Sequence, residues 1–247
     1  MMMLRGALVF AGLIGAWQLL VWATGVEPFI LPGPLPVAQA LVSRADVLLA
    51  HAWVTVAEIL LGLVLGTVLG CTSALVIATF RPARQWLLPV LVVSQAIPVF
   101  ALAPLLVLWL GYGLPSKVAM ATLIIYFPVT AAFFDGLRRT DPGWLDLART
   151  MGGSRWRVLR LIRIPAALPA LASGLRVATA VAPIGAVVGE WVGSSAGLGY
   201  LMLHANARMQ IDMMFAALFV LALFAVGLYL AVDHALRRAL PWQFEDA

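Results

Sequence analysis

Few residues in this chain have the types and spacing that covalent chemistry requires. Gly193-Ser194-Ser195-Ala196-Gly197 matches the G-x-S-x-G pattern, in which a nucleophilic serine sits on a sharp turn between a strand and a helix. His204 is near enough in sequence to approach Ser195, so a membrane hydrolase is one interpretation. The surrounding sequence does not indicate a strand, and we favour a glycine-rich bend that follows a spanning segment.

The chain also lacks the common signals for nucleotide and metal binding. It contains no G-x-x-x-x-G-K-[ST] phosphate-binding loop, and its only lysine, Lys117, follows Ser116 and a proline. Cys71 is the only cysteine, which excludes an intrachain disulfide and a cysteine metal cluster. We therefore predict no catalytic residues, no metal and no cofactor, so any ATP that drives this protein must be bound by another chain.

A polar stretch at residues 138–165 carries a different pattern. Asp141-Pro142 supplies a good N-cap followed by a residue suited to the first helical position. Gly152-Gly153 ends that helix, and Ser154 caps a second one. The sequence predicts a short helix, a glycine turn and a second short helix, all outside the membrane.

This loop resembles the signature loop of the permease subunits of binding-protein-dependent ABC importers. The family pattern opens with Glu-Ala-Ala, continues to a glycine and closes with Ile-x-Leu-Pro. Here Asp146-Leu147-Ala148, Gly152 and Ile162-Arg163-Ile164-Pro165 match it at the same spacing. Aspartate replaces glutamate, leucine replaces the first alanine and isoleucine replaces the leucine. We expect the aspartate to lie near a helix start, where the helix dipole favours a carboxylate.

The resemblance implies that the loop docks a short coupling helix into a groove on an ATPase subunit. It assigns this role to Asp146, Ala148, Arg149, Gly152, Gly153, Ile162 and Pro165. It further implies two permease copies, expected to be identical, two ATPase subunits and a separate substrate-binding protein, and no nucleic acid. The alternative is a loop held on the membrane surface by arginine–phosphate contacts.

Other segments are similar to the nitrate, sulfonate and taurine branch of that family. They begin at Pro28, at Ile97 and at Gly189. The branch includes importers of riboflavin and of the pyrimidine precursor of thiamine, and Glu190-Trp191 with the stretch Tyr200–Met213 is most similar to the thiamine-precursor members. The implied cargo is therefore a thiamine pyrimidine precursor, or a sulfonate- or nitrate-like solute.

Composition excludes a soluble protein. Hydrophobic residues make up 63% of the chain and charged residues 11%, against about 25% charged in a typical soluble domain. The mean hydropathy is +1.01, so lipid must be the solvent for most of the chain. We predict an all-α, polytopic fold of the type I ABC importer kind, with one permease domain over residues 1–247 and about six transmembrane helices. The predicted spans are Gly6–Ala23, Glu58–Phe80, Trp86–Leu110, Val118–Leu137, Pro169–Gly189 and Met213–Val232.

Three further segments complete this prediction. The first apolar stretch is longer than the core of a usual signal peptide, so we interpret it as a spanning helix. Residues Pro36–His51 are expected to form an amphipathic interfacial helix, and Ser194–Ala207 a half-span.

Arginine placement predicts the orientation. With the N-terminus inside, the inner segments hold twelve arginines, whereas the outer segments hold Arg44, Lys117 and Arg208. Since basic residues concentrate on the cytoplasmic side, both termini are predicted to be cytoplasmic in a bacterial inner membrane.

Prolines and one carboxylate mark the candidate pathway or gate. Pro98 and Pro104 interrupt the third span and Pro183 the fifth, and such breaks often line a translocation path. Glu58 and Glu190 lie toward the outer face, where snorkelling or helix-end pairing is the simplest expectation and a gating role for Glu190 the alternative.

Two other function classes stay open. An ion-coupled secondary transporter needs polar sites near the membrane midplane, and the sequence predicts no buried carboxylate at the centre of a span. A structural scaffold would not need a coupling loop. Glycines at four-residue spacing, such as Gly62, Gly66 and Gly70, predict close helix packing, either within the subunit or between subunits.

Overall fold

The computed structural model describes residues 2–94 and 96–243, and this part of the chain is helical, with no strand. The predicted all-α fold is confirmed. The helices are α1 (Met2–Thr24), α2 (Pro34–Ser43), α3 (Ala45–Thr79), α4 (Arg81–Ser94), α5 (Val99–Leu110), α6 (Leu114–Arg138), α7 (Pro142–Thr150), α8 (Arg155–Val158), a π-helical turn (Leu159–Arg163), α9 (Ile164–Gly193), α10 (Leu198–Ala207), α11 (Ile211–Ala239) and a 3-10 turn (Pro241–Gln243).

Four of these segments are long and apolar enough to cross a membrane by themselves. They are α3, α6, the stretch Arg155–Gly193 and α11. The pair α4 and α5 makes a fifth span if its two bent halves count as one. The 23-residue α1 would extend about 35 Å at 1.5 Å per residue, which matches a bilayer core. Its status as a sixth span stays a prediction.

The prediction of one continuous interfacial helix over Pro36–His51 is wrong. The structure ends α2 at Ser43, breaks at Arg44, and then continues without interruption through the 35 residues of α3. The stretch after Arg44 contains neither glycine nor proline before Gly62, so nothing in it stops a helix. The second span therefore begins well before the predicted Glu58.

The third span is bent rather than straight. The axes of α4 and α5 differ by 104° across a short break, and Pro98 is the N-cap of α5. A proline cannot donate a backbone hydrogen bond and disfavours a helical conformation in the residue before it, so a break here is expected. Pro104 and Pro183 lie inside intact helices. Only the first of the three prolines accompanies an interruption.

The contacts of the chain form two compact units. One comprises Met1–Thr55 and Ser195–Leu223, and the other comprises Val56–Ser194 and Phe224–Ala247. In the first, Trp17 stacks on Phe215 with 5.8 Å between ring centroids. In the second, a buried apolar cluster joins α3, α6, the π-helical turn and α9; it comprises Ala74, Ile77, Phe133, Phe134, Leu137, Leu159 and Ala167.

Glycines bring three helices of the second unit into backbone contact. A Cβ placed on Gly62 of α3 would lie 2.5 Å from Cβ of Ala121, and one on Gly66 would lie 2.6 Å from Cγ2 of Ile125. A Cβ on Gly185 of α9 would lie 2.8 Å from the Ala121 Cα atom. Any side chain at these positions would push the helices apart. These glycines therefore serve packing of α3 and α9 against α6 within one chain.

Candidate functional site

The first helix of the polar loop begins where the sequence predicts. The Gly143 backbone N–H donates a hydrogen bond of 2.6 Å to Oδ1 of Asp141, and Pro142 occupies the first turn of α7. This cap satisfies a backbone donor that has no partner within the helix. The predicted N-cap is confirmed.

The glycine turn is equally well defined. Helix α7 ends at Thr150, and Gly152 has a φ of +73°, in the left-handed region that glycine adopts without penalty. The Gly153 N–H donates to the carbonyl oxygen of Ala148 at 2.8 Å, which closes the end of the helix. A Cβ on Gly153 would lie 2.7 Å from that same oxygen. Both predicted glycines are therefore demanded by geometry, one by its backbone angle and the other by lack of space.

The second helix is capped as predicted but is not a separate short element. The hydroxyl of Ser154 accepts a hydrogen bond of 3.3 Å from the Arg157 N–H. From there the chain runs through the π-helical turn into α9, giving 39 helical residues, Arg155–Gly193. Pro165 does not end this helical stretch; it is the second residue of α9 and directly follows the π-helical turn. The loop is thus directly continuous with a spanning helix.

A side-chain contact also ties this region to α6. The guanidinium of Arg163 donates hydrogen bonds of 3.2 and 2.9 Å to the carbonyl oxygen of Leu137. Leu137 is the penultimate residue of α6, and Arg163 immediately precedes α9. The two helices that flank the loop are therefore fastened together where the loop leaves them.

The exposed face of α7 combines charged and apolar side chains. Asp146 and Arg149 form an ion pair of 2.8 Å whose side chains are 70% and 71% exposed. Trp144, Leu147 and Met151 are also exposed. Apolar groups of this size on a polar loop mark a surface that contacts a partner or a membrane.

The expected position of Asp146 at a helix start is wrong. It is the fifth of the nine residues of α7, beyond the first turn, and its carboxylate pairs with Arg149. Asp141 performs the N-terminal role instead.

The seven predicted coupling residues fall into two groups. Asp146, Arg149 and Gly152 are exposed on the loop, whereas Ala148 and Gly153 form its closing hydrogen bond. Ile162 is half-buried in the π-helical turn, and Pro165 is exposed at the start of α9. The structure brings the first five together and places the last two where the loop joins the span.

The four predicted pathway or gate residues differ in exposure. Pro98 and Pro104 are exposed at the start of α5 and within it, whereas Pro183 and Glu190 are buried within α9. Their assignment to a path or gate stays a prediction.

The structure reveals a buried charge cluster that the sequence analysis did not assemble. Glu58 of α3 is fully buried, Glu190 of α9 is 1% exposed and Lys117 of α6 is 5% exposed. The Nζ atom of Lys117 lies 3.5 Å from Oε1 of Glu58, and the carboxyl of Glu58 faces that of Glu190. The expectation of snorkelling is wrong for both glutamates, because their side chains do not reach solvent. Glu58 pairs with Lys117, but it does so well inside α3 and not at a helix end as predicted. The available signal was the single lysine of the chain.

The cluster lies toward one end of α6 and of α9, and in the middle part of α3. Lys117 is the fourth residue of α6, and Glu190 is three residues from the end of α9. Charges taken out of water must be paired, so these groups hold one another in place. The prediction of no buried carboxylate well inside a span is therefore wrong: Glu190 is near the end of α9, but Glu58 is the fourteenth of the 35 residues of α3.

The G-x-S-x-G segment has no hydrolase geometry. It connects helix α9 to helix α10, with Gly197 at a φ of +114°, so the strand that the motif requires is absent. The N–H groups of Gly197 and Leu198 donate to His51 Nδ1 at 3.0 Å and to Thr55 Oγ1 at 2.7 Å, which caps α10. The ring of His204 contacts Tyr200 of its own helix. The bend interpretation accounts for this segment.

Comparison with known proteins agrees with the geometry of the loop. The family described as "Binding-protein-dependent transport system inner membrane component" matches residues 62–241. A probable ABC transporter permease protein of Haemophilus influenzae is 56% identical over 96% of both chains. A formylaminopyrimidine transport permease of Halalkalibacterium halodurans is 35% identical over 97% of this chain and 96% of its own length.

A further relative and a solved structure extend these similarities. A riboflavin transport system permease of Chloroflexus aurantiacus is 38% identical over 92% of this chain and 85% of its own length. Among solved structures, an inward-facing conformation of the methionine ABC transporter MetNI matches with a TM-score of 0.67 at 20% identity, covering 79% of this chain and 97% of the other. This last likeness concerns the fold alone.

Proposed function

Because the chain belongs to the family of binding-protein-dependent transport system inner membrane components and is the membrane-spanning permease subunit of an ABC importer, we propose that α7 is its coupling helix. In this proposal α7 docks into a groove on a separate ATPase subunit. The ATPase closes when it binds ATP and carries α7 with it. The spans then switch from an inward-facing to an outward-facing arrangement, and a substrate-binding protein delivers the cargo on the outer side.

One observation carries this proposal, namely that the exposed loop is mechanically continuous with a spanning helix. Gly153 and Ser154 close α7 directly against the start of the helical stretch Arg155–Gly193. Arg163 fastens that stretch to α6. A displacement of α7 is therefore passed to two spans and is not absorbed by slack in the loop.

The exposed side chains of α7 suit a protein partner. Trp144 and Leu147 offer apolar contact area, and Asp146 with Arg149 offers charges of both signs on the same helix. Aromatic and arginine side chains are enriched where protein partners dock. A loop held only by lipid phosphates would not need the acidic residue, so an ATPase groove is the favoured partner.

The assembly that we propose contains two identical permease copies, two ATPase subunits and one binding protein. The permease itself has no ATP site and no cofactor. Its termini face the cytoplasm of a bacterial cell, since twelve arginines lie on the inner segments in that orientation. Lipid contacts the exposed apolar faces of the spans. Helix α11 is an example, since only 17% of its most apolar stretch is buried within the chain.

For the cargo we propose an aminopyrimidine related to thiamine precursors. The similarity to the formylaminopyrimidine permease covers almost the whole of both chains. The riboflavin permease is similarly close, and both names describe nitrogen heterocycles. Uptake of labelled aminopyrimidine, riboflavin and taurine by the complete importer separates these classes, and uptake of riboflavin or taurine without uptake of the aminopyrimidine would overturn the assignment.

The coupling proposal is tested by Gly152→Pro in the complete importer. Proline fixes φ near −65°, which conflicts with the +73° of Gly152, so the end of α7 must rearrange while the spans stay intact. Gly25→Pro is the matched control, because Gly25 also has a positive φ, of 60°, but lies outside the loop. The measurements are capture of co-expressed ATPase and solute uptake in liposomes.

We expect Gly152→Pro to insert normally and to lose uptake, with Gly25→Pro close to the native protein. Normal uptake in Gly152→Pro would contradict the coupling role. Failure of the native chain to capture any ATPase would instead favour an ion-coupled secondary transporter.

A further inference from the structure

Three charged side chains in the described part of the chain are buried almost completely, and all three meet in one cluster. Glu58, Lys117 and Glu190 come from α3, α6 and α9, respectively. The coupling loop does not include them, and the family's signature loop does not explain them. Their burial needs a reason, since a charge is costly to remove from water.

The cluster is asymmetric in charge. The ammonium group of Lys117 faces the carboxyl group of Glu58, which in turn faces that of Glu190. Replacing Glu190 keeps the pair of Lys117 and Glu58, whereas replacing Lys117 leaves the buried carboxyl of Glu58 without the cation that lies 3.5 Å from it. Lys117 is therefore the member on which the arrangement depends most.

Backbone contacts around Lys117 show that the three helices do not have room to slide there. A Cβ on Gly189 of α9 would lie 3.2 Å from the Cα atom of Lys117. One turn further along α6, Ala121 packs against Gly62 of α3 and against Gly185 of α9. The charge cluster thus lies where both neighbouring helices already touch the backbone of α6.

The same two helices are also fastened at their opposite ends. Arg163 bonds the Leu137 carbonyl where α6 leads into the loop and α9 leaves it. Helices α6 and α9 are therefore joined at both ends, with α7 between them at one end only. Motion of α7 can therefore act on the α6–α9 pair only at the end that carries the loop.

We infer that Lys117 is a positioning residue that joins the ends of α6 and α9 remote from the coupling loop to the middle part of α3 in one rigid body. Through this lock, a displacement of α7 reaches the far side of the membrane without loss. The inference rests on the proposed role of α7 in coupling. It assigns Lys117, Glu58 and Glu190 to transmission of motion and not to contact with the cargo.

The test uses the complete importer in liposomes and compares Lys117→Met with three variants. Lys117→Arg keeps the cation, Glu190→Gln leaves one ammonium with one carboxylate, and the triple change Glu58→Gln, Lys117→Met and Glu190→Gln removes all charge. Spin labels at Leu114 and Trp191, which are exposed near the relevant ends of α6 and α9, report the distance between those ends. Labelled copies are diluted with unlabelled ones, and Cys71 is replaced by alanine.

In the native importer we expect one narrow distance distribution that is the same with and without ATP. Lys117→Met should broaden that distribution and lower uptake by about tenfold or more while still capturing the ATPase, since breaking a buried pair is strongly destabilising locally. Lys117→Arg and Glu190→Gln should keep the narrow distribution, whereas the triple variant should broaden it, because it lacks the ion pair that joins the helices. A purely structural role would lower the yield of the protein without altering the distance in the molecules that are recovered.

Two results would overturn the inference. One is a native distance that changes with ATP, because the helix ends would then not be locked. The other is Lys117→Met with native distance and uptake. If Lys117→Met is not recovered from the membrane, the inference requires that the triple variant be recovered. Loss of ATPase capture by the native chain would instead refute the coupling role of α7, and the distance in the permease alone would still report on the lock.

Discussion

Two ion pairs of the same unit show how little distance says about importance. The pair Asp146–Arg149 on α7 is the shorter, at 2.8 Å, and both side chains are about 70% exposed. The pair Glu58–Lys117 is longer, at 3.5 Å, and its side chains are 0% and 6% exposed. Exposed pairs contribute only about 0–1 kcal/mol, because water solvates the separated charges nearly as well. Buried partners cannot be separated so cheaply.

The exposed loop and the buried cluster therefore use the same kind of ion pair for different purposes. The exposed pair keeps charges available on a surface that we propose meets an ATPase. The buried pair joins α3 to α6 and is not exposed at the surface of the chain. Surface contact and internal rigidity are thus divided between the two ends of the α6–α9 hairpin.

The largest expected effect comes from breaking the buried region at its packing contacts. Gly66→Leu would force a side chain into Ile125, whose Cγ2 atom lies 2.6 Å from the ideal Cβ position, and so separate α3 from α6. We expect loss of folded protein in the membrane. Gly227→Leu is the matched control, since no atom lies within 4 Å of a Cβ placed there. Fluorescence-detected size-exclusion chromatography in detergent measures both, and equal folded yields would refute the packing argument.

An intermediate effect is expected from a half-buried network in the same unit. Asp233 accepts from the guanidinium groups of Arg176 at 2.7 Å and Arg237 at 2.8 Å, with its side chain 18% exposed. Asp233→Asn removes the charge that both arginines share and should lower the thermal stability measurably, though less than Gly66→Leu. Tryptophan fluorescence during heating in detergent micelles provides the measurement. Arg237→Gln is the companion variant, and because its side chain is 60% exposed we expect a smaller decrease.

The smallest expected effect on stability is at the exposed pair. Asp146→Asn should change the free energy of unfolding by no more than about 1 kcal/mol, because both partners remain solvated. The same heating experiment measures it, and ATPase capture is followed in parallel. A loss of stability as large as that of Asp233→Asn would mean that the exposed pair stabilises the fold. The proposed difference in role between the exposed pair and the buried pair would then be refuted.

Local elements were the best predicted parts of the fold. The caps at Asp141 and Ser154 and the turn at Gly152 depend on neighbours within a few residues, so residue type alone was sufficient. The start of α3 was missed, and the interruption at Pro98 was predicted without the size of the bend between α4 and α5. Both depend on whether an apolar stretch continues as helix, and hydropathy does not distinguish a straight span from a longer or broken one.

The candidate site also has one part that could be predicted from neighbouring residues and one part that could not. The exposed loop could be identified because its pattern is contiguous and polar in an apolar chain. The position of Asp146 was misjudged by one helical turn, since a helix start cannot be placed to that accuracy from propensity. The buried cluster was seen only as isolated charges, and nothing in the sequence joined residues 58, 117 and 190.

By itself, the sequence determined that the protein is an all-helical membrane protein and that one polar loop carries a capped helix and a glycine turn. These follow from hydropathy and from hydrogen bonds between near neighbours. Only the tertiary structure decided that Glu58, Lys117 and Glu190 meet. The reason is that their contact depends on which helix faces come together, and that is set by where glycines such as Gly62 and Gly185 let backbones touch.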